Sequence, residues 1–185
     1  MKLLETRAQN LLNRCLQPVA TEINELDWKA ALSENTDRLA QHLCAFSNES
    51  HGGFLVFGLN NEGLPTGLTK QEGDGIIHRL GNIARHNLAL PATLEHFWGQ
   101  VRGIPVLIIY VHEVTDKPAY PRNGTVYDSF KRSAGQTVRM SRQEVKQVIA
   151  KSHGISFEDQ IAITGLSIDD VLNTLDYDSY FQLTK

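Results

Sequence analysis

The chain has 185 residues, 41% hydrophobic and 21% charged, with a formal net charge of −3. Such a composition suits one globular domain with its own core, and the negative balance argues against a protein that coats DNA without selectivity. No run reaches the roughly 18 apolar residues of a membrane helix, and residues 1–9 are interrupted by Glu5 and Arg7 too early for a secretory signal, so a cytoplasmic protein without membrane contact is expected.

Leu3, Leu4, Ala8, Leu11, Leu12, Cys15 and Leu16 recur with helical period ahead of Pro18, which predicts an amphipathic helix over 3–16. Glu25-Leu26-Asp27-Trp28-Lys29 alternates charged and apolar residues. That is a half-buried strand, with Leu26 and Trp28 inward and Glu25, Asp27 and Lys29 on the other face. A second helix spans 35–46 with Asn35 as its N-cap. Cys15 and Cys44 sit in apolar helical patterns and read as buried thiols. No CxxC occurs, which excludes a zinc knuckle.

After Gly52-Gly53, the run 54–59 is almost continuously apolar and predicts a central strand. Asn60-Asn61-Glu62-Gly63 marks a turn. A third helix over 72–89 and paired strands over 93–101 and 105–112 follow, then a short strand over 126–132. Ser141 caps a helix over 142–151 that Gly154 stops. Ser167 caps a short helix through Leu175. Mixed helices and strands, with antiparallel pairing at 93–112, predict an α/β (α+β) fold with a mixed sheet flanked by helices. It occupies residues 1–154; residues 155–185 form an acidic extension leading toward further domains.

Charge is unevenly spread. Residues 117–151 hold eight bases against two acids, whereas residues 152–185 hold one base against six acids. The first stretch suits a polyanion, or is an ordinary solvated face. Within it Lys117, Lys131, Arg132 and Arg139 are candidate phosphate contacts, joined by Lys29 from the first strand. Gly52-Gly53 is either a tight helix-to-strand turn or a cradle of backbone N–H groups for a phosphate. Asn48 is either a helix C-cap or a polar group facing that site. No Lys-Ser/Thr follows the glycines, so this is not a Walker loop. The seven histidines show no ligand spacing.

The block from Ala45-Phe46-Ser47-Asn48 through Gly52-Gly53 to Gly67 resembles the signature of the Schlafen AlbA-like domain. Leu26-Asp27-Trp28-Lys29 is similar to that family's LEFK strand, Lys117-Pro118-Ala119-Tyr120 to its lysine-proline-aromatic step, and residues 130–135 to its YxRxGS segment. The asparagine-to-glycine gap is one residue longer than usual, Asp27 replaces Glu, and Ala134 stands where Gly is common. The resemblance implies a nucleic-acid-binding module, for DNA or RNA, of a bacterial transcriptional regulator, often paired as a homodimer. It also implies an alternative, because some eukaryotic members are ribonucleases using three acids and a divalent cation. Carried onto this chain, those positions fall on Glu22, Asp27 and Asn60 or Asn61, with Glu22 and Asp27 as ligands for Mg2+ or Mn2+ and the third carboxylate replaced by an amide. Glu25 offers itself as a substitute acid. A nucleotide-binding or assembly role is a further alternative.

Overall fold

Four strands make the main sheet: β1 (Leu26–Lys29), β2 (Gly53–Phe57), β3 (Leu94–Val101) and β4 (Ile104–Val111), in the order β1-β2-β4-β3. β1 runs parallel to β2, and both other pairings are antiparallel, so the sheet is mixed. The computed structural model describes residues 2–17 and 20–152, together with Ser167 and Asp170. The chain divides into two units, Met1–His153 and Gly154–Lys185. The first unit holds the sheet and the helices that cover it. In the second, the backbone N–H of Asp170 donates to Ser167 Oγ at 3.2 Å. The helix expected beyond it, and the stop expected at Gly154, lie outside the described residues.

Both faces of the sheet are covered. Leu26, Trp28, Phe54, Val56, Ile108 and Tyr110 pack on one side against Leu11, Leu12 and Cys15 of α1 (Lys2–Cys15). Leu55, Phe57, Leu107 and Ile109 pack on the other against α2 (Thr36–Asn48) and α3 (Lys70–His86). Each fully buried large side chain here contributes about 1.5–3 kcal/mol by leaving water. β2 therefore has no polar face, which is why its sequence is an unbroken apolar run. Asn35 caps α2 by accepting from the Arg38 N–H at 2.9 Å. Both cysteines are buried free thiols, and burial pushes Cys44 up to about 12.

The strand expected over 126–132 is corrected. Val126–Asp128 is a 3-10 turn, and the strand begins at Phe130. β5 (Phe130–Ser133) pairs antiparallel with β6 (Gln136–Arg139) as a separate hairpin, and α4 (Arg142–Ser152) follows. Ala134 and Gly135 both have positive φ, 48° and 75°, as a two-residue hairpin turn requires. This hairpin leans on α2 and brings its tip to the start of β1, where the Gly135 N–H donates to Asn24 Oδ1 at 3.1 Å.

Candidate functional site

The Asp27 side chain lies on the face of β1 that α2 covers, and only 1% of the residue is exposed. Its two carboxylate oxygens have different partners. Oδ1 accepts from the Lys29 ammonium and Oδ2 from Arg132 Nη1 at 3.0 Å. Arg132, from β5, is itself buried. Its Nη1 also donates to Thr137 Oγ1 at 3.0 Å, its Nη2 to the Gly135 carbonyl, and its plane lies over the Phe46 ring at 4.8 Å. Residues 105 positions apart are thus joined by a desolvated ion pair. His42 of α2 completes the cluster, with Nδ1 at 2.8 Å from Thr137 Oγ1 and 3.7 Å from Asp27 Oδ2.

The structure brings Glu22 and Asp27 together, with the Lys29 ammonium shared between them. Lys29 Nζ donates to Glu22 Oε1 at 3.2 Å, to Asp27, and to the Trp28 carbonyl at 2.9 Å. Burial, then the neighbouring Asp27, push Glu22 above the usual carboxylate range. Asp27 feels burial in the same direction, but Glu22, Lys29 and Arg132 outweigh it and hold Asp27 below that range. The pair therefore protonates first at Glu22 and keeps Asp27 ionised between two cations. Burial pushes His42 down to about 4, with Arg132, Lys29 and Arg38 assisting and Asp27 opposing.

The third position does not join them. The Asn60 side chain is spent on its own turn, where Oδ1 accepts from the N–H groups of Glu62 at 3.1 Å and Leu64 at 2.8 Å, and Nδ2 donates to Glu62. Glu25 precedes β1 and pairs with Arg7 of α1 at 3.8 Å. Among the described residues no group of three or more His, Cys, Asp or Glu side chains is placed to share a metal ion. An ammonium stands where Mg2+ or Mn2+ would lie between Glu22 and Asp27. The residues present do not fit a divalent cation.

The diglycine turn has structural partners of its own. His51 N–H donates to Glu113 Oε2 at 2.7 Å, Gly52 N–H to the Glu49 carbonyl and Phe54 N–H to the Glu25 carbonyl. Gly52 has φ 63°, and a Cβ there would strike the Val111 carbonyl; one on Gly53 would strike the Phe46 ring. These glycines serve close packing of helix on strand. Asn48 is buried at the last turn of α2 and ties three segments. Its Nδ2 donates to the carbonyls of Ala119 and Phe130, both at 2.9 Å, and its Oδ1 accepts from Ala119 N–H at 2.7 Å.

The expected basic residues do not gather beside that turn. Lys29 and Arg132 belong to the buried cluster. Lys117 donates to the Asn48 carbonyl at 2.7 Å and pairs with Glu113 at 2.7 Å. Lys131 pairs with Glu144, whose carboxyl is held down to about 2 by that contact and by the Ser141 N–H and hydroxyl. These four hold fixed carboxylate or carbonyl partners and are more covered than Arg139.

Arg139 is the most exposed of the five and opens on a groove. Its side chain is 61% exposed and paired with Asp128. The groove, of about 490 Å³, is also lined by Asp37, Gln41, His86, Arg122 and Asn123. Arg122 donates through Nη1 to the His86 carbonyl at 3.2 Å, at the C-terminus of α3 where a cation is favoured. Beside it Tyr127 is 44% exposed, its carbonyl accepts from Arg139 Nε, and the Arg142 guanidinium lies 5.9 Å from its ring centroid. Sequence reasoning did not single out Arg122, Tyr127 or Arg142. The available signal was an exposed aromatic between arginines in the basic stretch.

No helix among the described residues is long and apolar enough to cross a membrane. No curated protein matches the chain. The DIP2311 protein from Corynebacterium diphtheriae shares the fold, with TM-score 0.54 and 17% identity over 82% of this chain; the chain spans 29% of that protein. The N-terminal domain of a RecG-related protein from Nitrosomonas europaea matches at TM-score 0.47 and 25% identity, covering 73% of this chain and 95% of that one. The model of the family described as "Schlafen, AlbA_2" matches residues 22–141. With the resembling blocks now placed on one mixed sheet and its hairpin, the chain belongs to the Schlafen AlbA_2 family.

Proposed function

We propose that this domain binds nucleic acid through its phosphate backbone, as the DNA-associated module of a larger transcriptional regulator. The groove between α2, the end of α3 and the β5–β6 hairpin is the contact surface. The observation that carries the reading is the convergence of Arg122 and Arg139 on that one polar groove, with the Tyr127–Arg142 pair beside it. Arginine forks suit phosphate oxygens, and an exposed aromatic ring suits an unstacked base. Asp37 and Asp128 also line the groove, so Arg139 exchanges Asp128 for phosphate on binding. Such recognition is positional rather than base-specific.

Anisotropy of labelled single- and double-stranded oligonucleotides at 50 and 200 mM salt tests it. Phosphate contacts from Arg122, Arg139 and Arg142 on duplex DNA predict a slope near −2.7 in log K against log salt, or about 40-fold weaker binding at the higher salt. Binding that is absent, or insensitive to salt, contradicts the reading. A metal-dependent nuclease is not favoured, because the Lys29 ammonium occupies the space between Glu22 and Asp27.

A further inference from the structure

Beside the Asp27 cluster, sharing Lys29 and His42 with it, a narrow slot of about 130 Å³ opens between β1, β2 and α2. Its walls are Leu39, Leu55 and Phe57, each no more than 5% exposed, with the edge of His42. Ser33, Arg38 and Lys29 stand at its mouth. The lining is mostly apolar, yet the rim carries two cations.

Those cations differ. All three N–H bonds of the Lys29 ammonium are taken by Glu22, Asp27 and the Trp28 carbonyl, so it has no donor left for a ligand. The Arg38 guanidinium, on an exposed residue in the first turn of α2, has no hydrogen bond or ion pair with any described residue. It is the free anion-binding group at this mouth. Inside, His42 Nδ1 is committed to Thr137 Oγ1, which leaves Nε2 as the polar atom of that ring for a guest. Burial keeps the ring neutral down to about pH 4, so Nε2 offers one hydrogen-bonding position and no charge.

Size selects the guest. A dry apolar cavity of about 150 Å³ admits benzene; at about 130 Å³ and open at its mouth, this slot is sized for at most one six-membered ring and not a fused pair. A guest must be a single flat ring with a polar edge, joined to an anion. We infer that the slot binds a pyrimidine nucleotide, its base between Leu39, Leu55 and Phe57 with an edge on His42, and its phosphate on Arg38. The nucleotide comes free or as an unstacked residue of a single strand; the chemistry is the same.

The test is calorimetric titration of the whole chain with CMP, UMP, AMP, inorganic phosphate and benzoate, alongside oligo-dC and oligo-dA of equal length. CMP or UMP should bind saturably and at least 10-fold more tightly than AMP, phosphate or benzoate. Preference for oligo-dC over oligo-dA assigns the slot to a strand; equal oligonucleotide affinities with CMP still bound assign it to free nucleotide. Ser33→Trp, which plugs the mouth, and Arg38→Gln, which removes the anchor, should each weaken CMP at least 10-fold. Both positions are exposed, and unchanged melting confirms folding. Arg122→Gln/Arg139→Gln should leave CMP affinity unchanged, so loss of the groove reading and loss of this one are separable. No pyrimidine binding in the wild type, binding of AMP, phosphate or benzoate as tight as CMP, or unaltered CMP affinity in both mouth variants overturns the inference.

Discussion

Arg132 and Arg139 sit on paired strands of one hairpin, seven residues apart, and their surroundings give them opposite work. Arg132 is buried against Asp27, Thr137 and the Gly135 carbonyl. Arg139 is 61% exposed over a groove, with Asp128 and the Tyr127 carbonyl as partners. One guanidinium is part of the architecture; the other is available to a ligand. Residue type and proximity in sequence do not separate them, whereas the layer above each strand does.

The largest effect expected from breaking this contrast is in stability. Arg132→Met leaves Asp27 as a buried charge without its fork, and should cost about 3–5 kcal/mol in urea unfolding. Arg139→Gln should cost less than about 1 kcal/mol, as exposed pairs do. Equal losses in the two variants would erase the distinction.

The next effect is pH dependence inside the buried cluster. His42 has an ordinary value of 6.5 and is held to about 4 in the fold. Between these values the unfolded chain binds a proton that the folded chain does not, so stability rises with pH across this window. It is lost as pH falls from about 6.5 toward 4, at up to about 1.4 kcal/mol per pH unit. Asp27, held below its ordinary value, adds loss of the same sign at lower pH, and Glu22, raised, opposes it. His42→Gln should flatten the 4–6.5 part of the unfolding-against-pH curve; an unchanged slope contradicts burial of a neutral ring.

A third consequence concerns the cation between Glu22 and Asp27. Lys29→Met removes the ammonium and leaves two carboxylates and a backbone carbonyl facing each other. Mn2+ should then bind that variant more tightly than wild type by at least 10-fold, read from the electron paramagnetic resonance of free Mn2+. Equal uptake by both proteins contradicts the claim that Lys29 fills that space.

The smallest effect sharpens the surface side. Asp128 neutralises Arg139 and caps its own turn through Thr125. Asp128→Asn should leave the melting temperature nearly unchanged, as loss of an exposed pair does, while tightening oligonucleotide binding several-fold. Weaker binding would mean that Asp128 positions Arg139 rather than competing for it.

Much of this fold was legible in the residues. Among the described residues, periodicity located the helices and sheet strands to within a few residues, because each has one clear apolar stripe or a continuous apolar run. The hairpin was harder. Val126 and Tyr127 look like strand residues, but Thr125 and Asp128 fold them into a capped turn. β6 was missed although Ala134-Gly135 is a two-residue turn signal. The acids and bases around Asp27 were picked out from sequence, with the wrong environment attached. Alternation in β1 says which residues share a face and not whether that face is covered. The unbroken apolar run of the neighbouring β2 did carry that information, since a strand beside one buried on both faces is covered too. The convergence of Arg122 with Arg139 depends on how residues 120–122 return along the end of α3, which no local pattern encodes.

One salt titration decides whether the exposed arginine groove, and not the buried cluster, meets the phosphate backbone. Duplex oligonucleotide affinity is measured from 50 to 200 mM salt for wild type and for Arg122→Gln/Arg139→Gln. Two lost phosphate contacts should make the slope of log K against log salt shallower by about 1.8. A double variant whose slope and affinity match wild type would place the phosphate contacts elsewhere than Arg122 and Arg139.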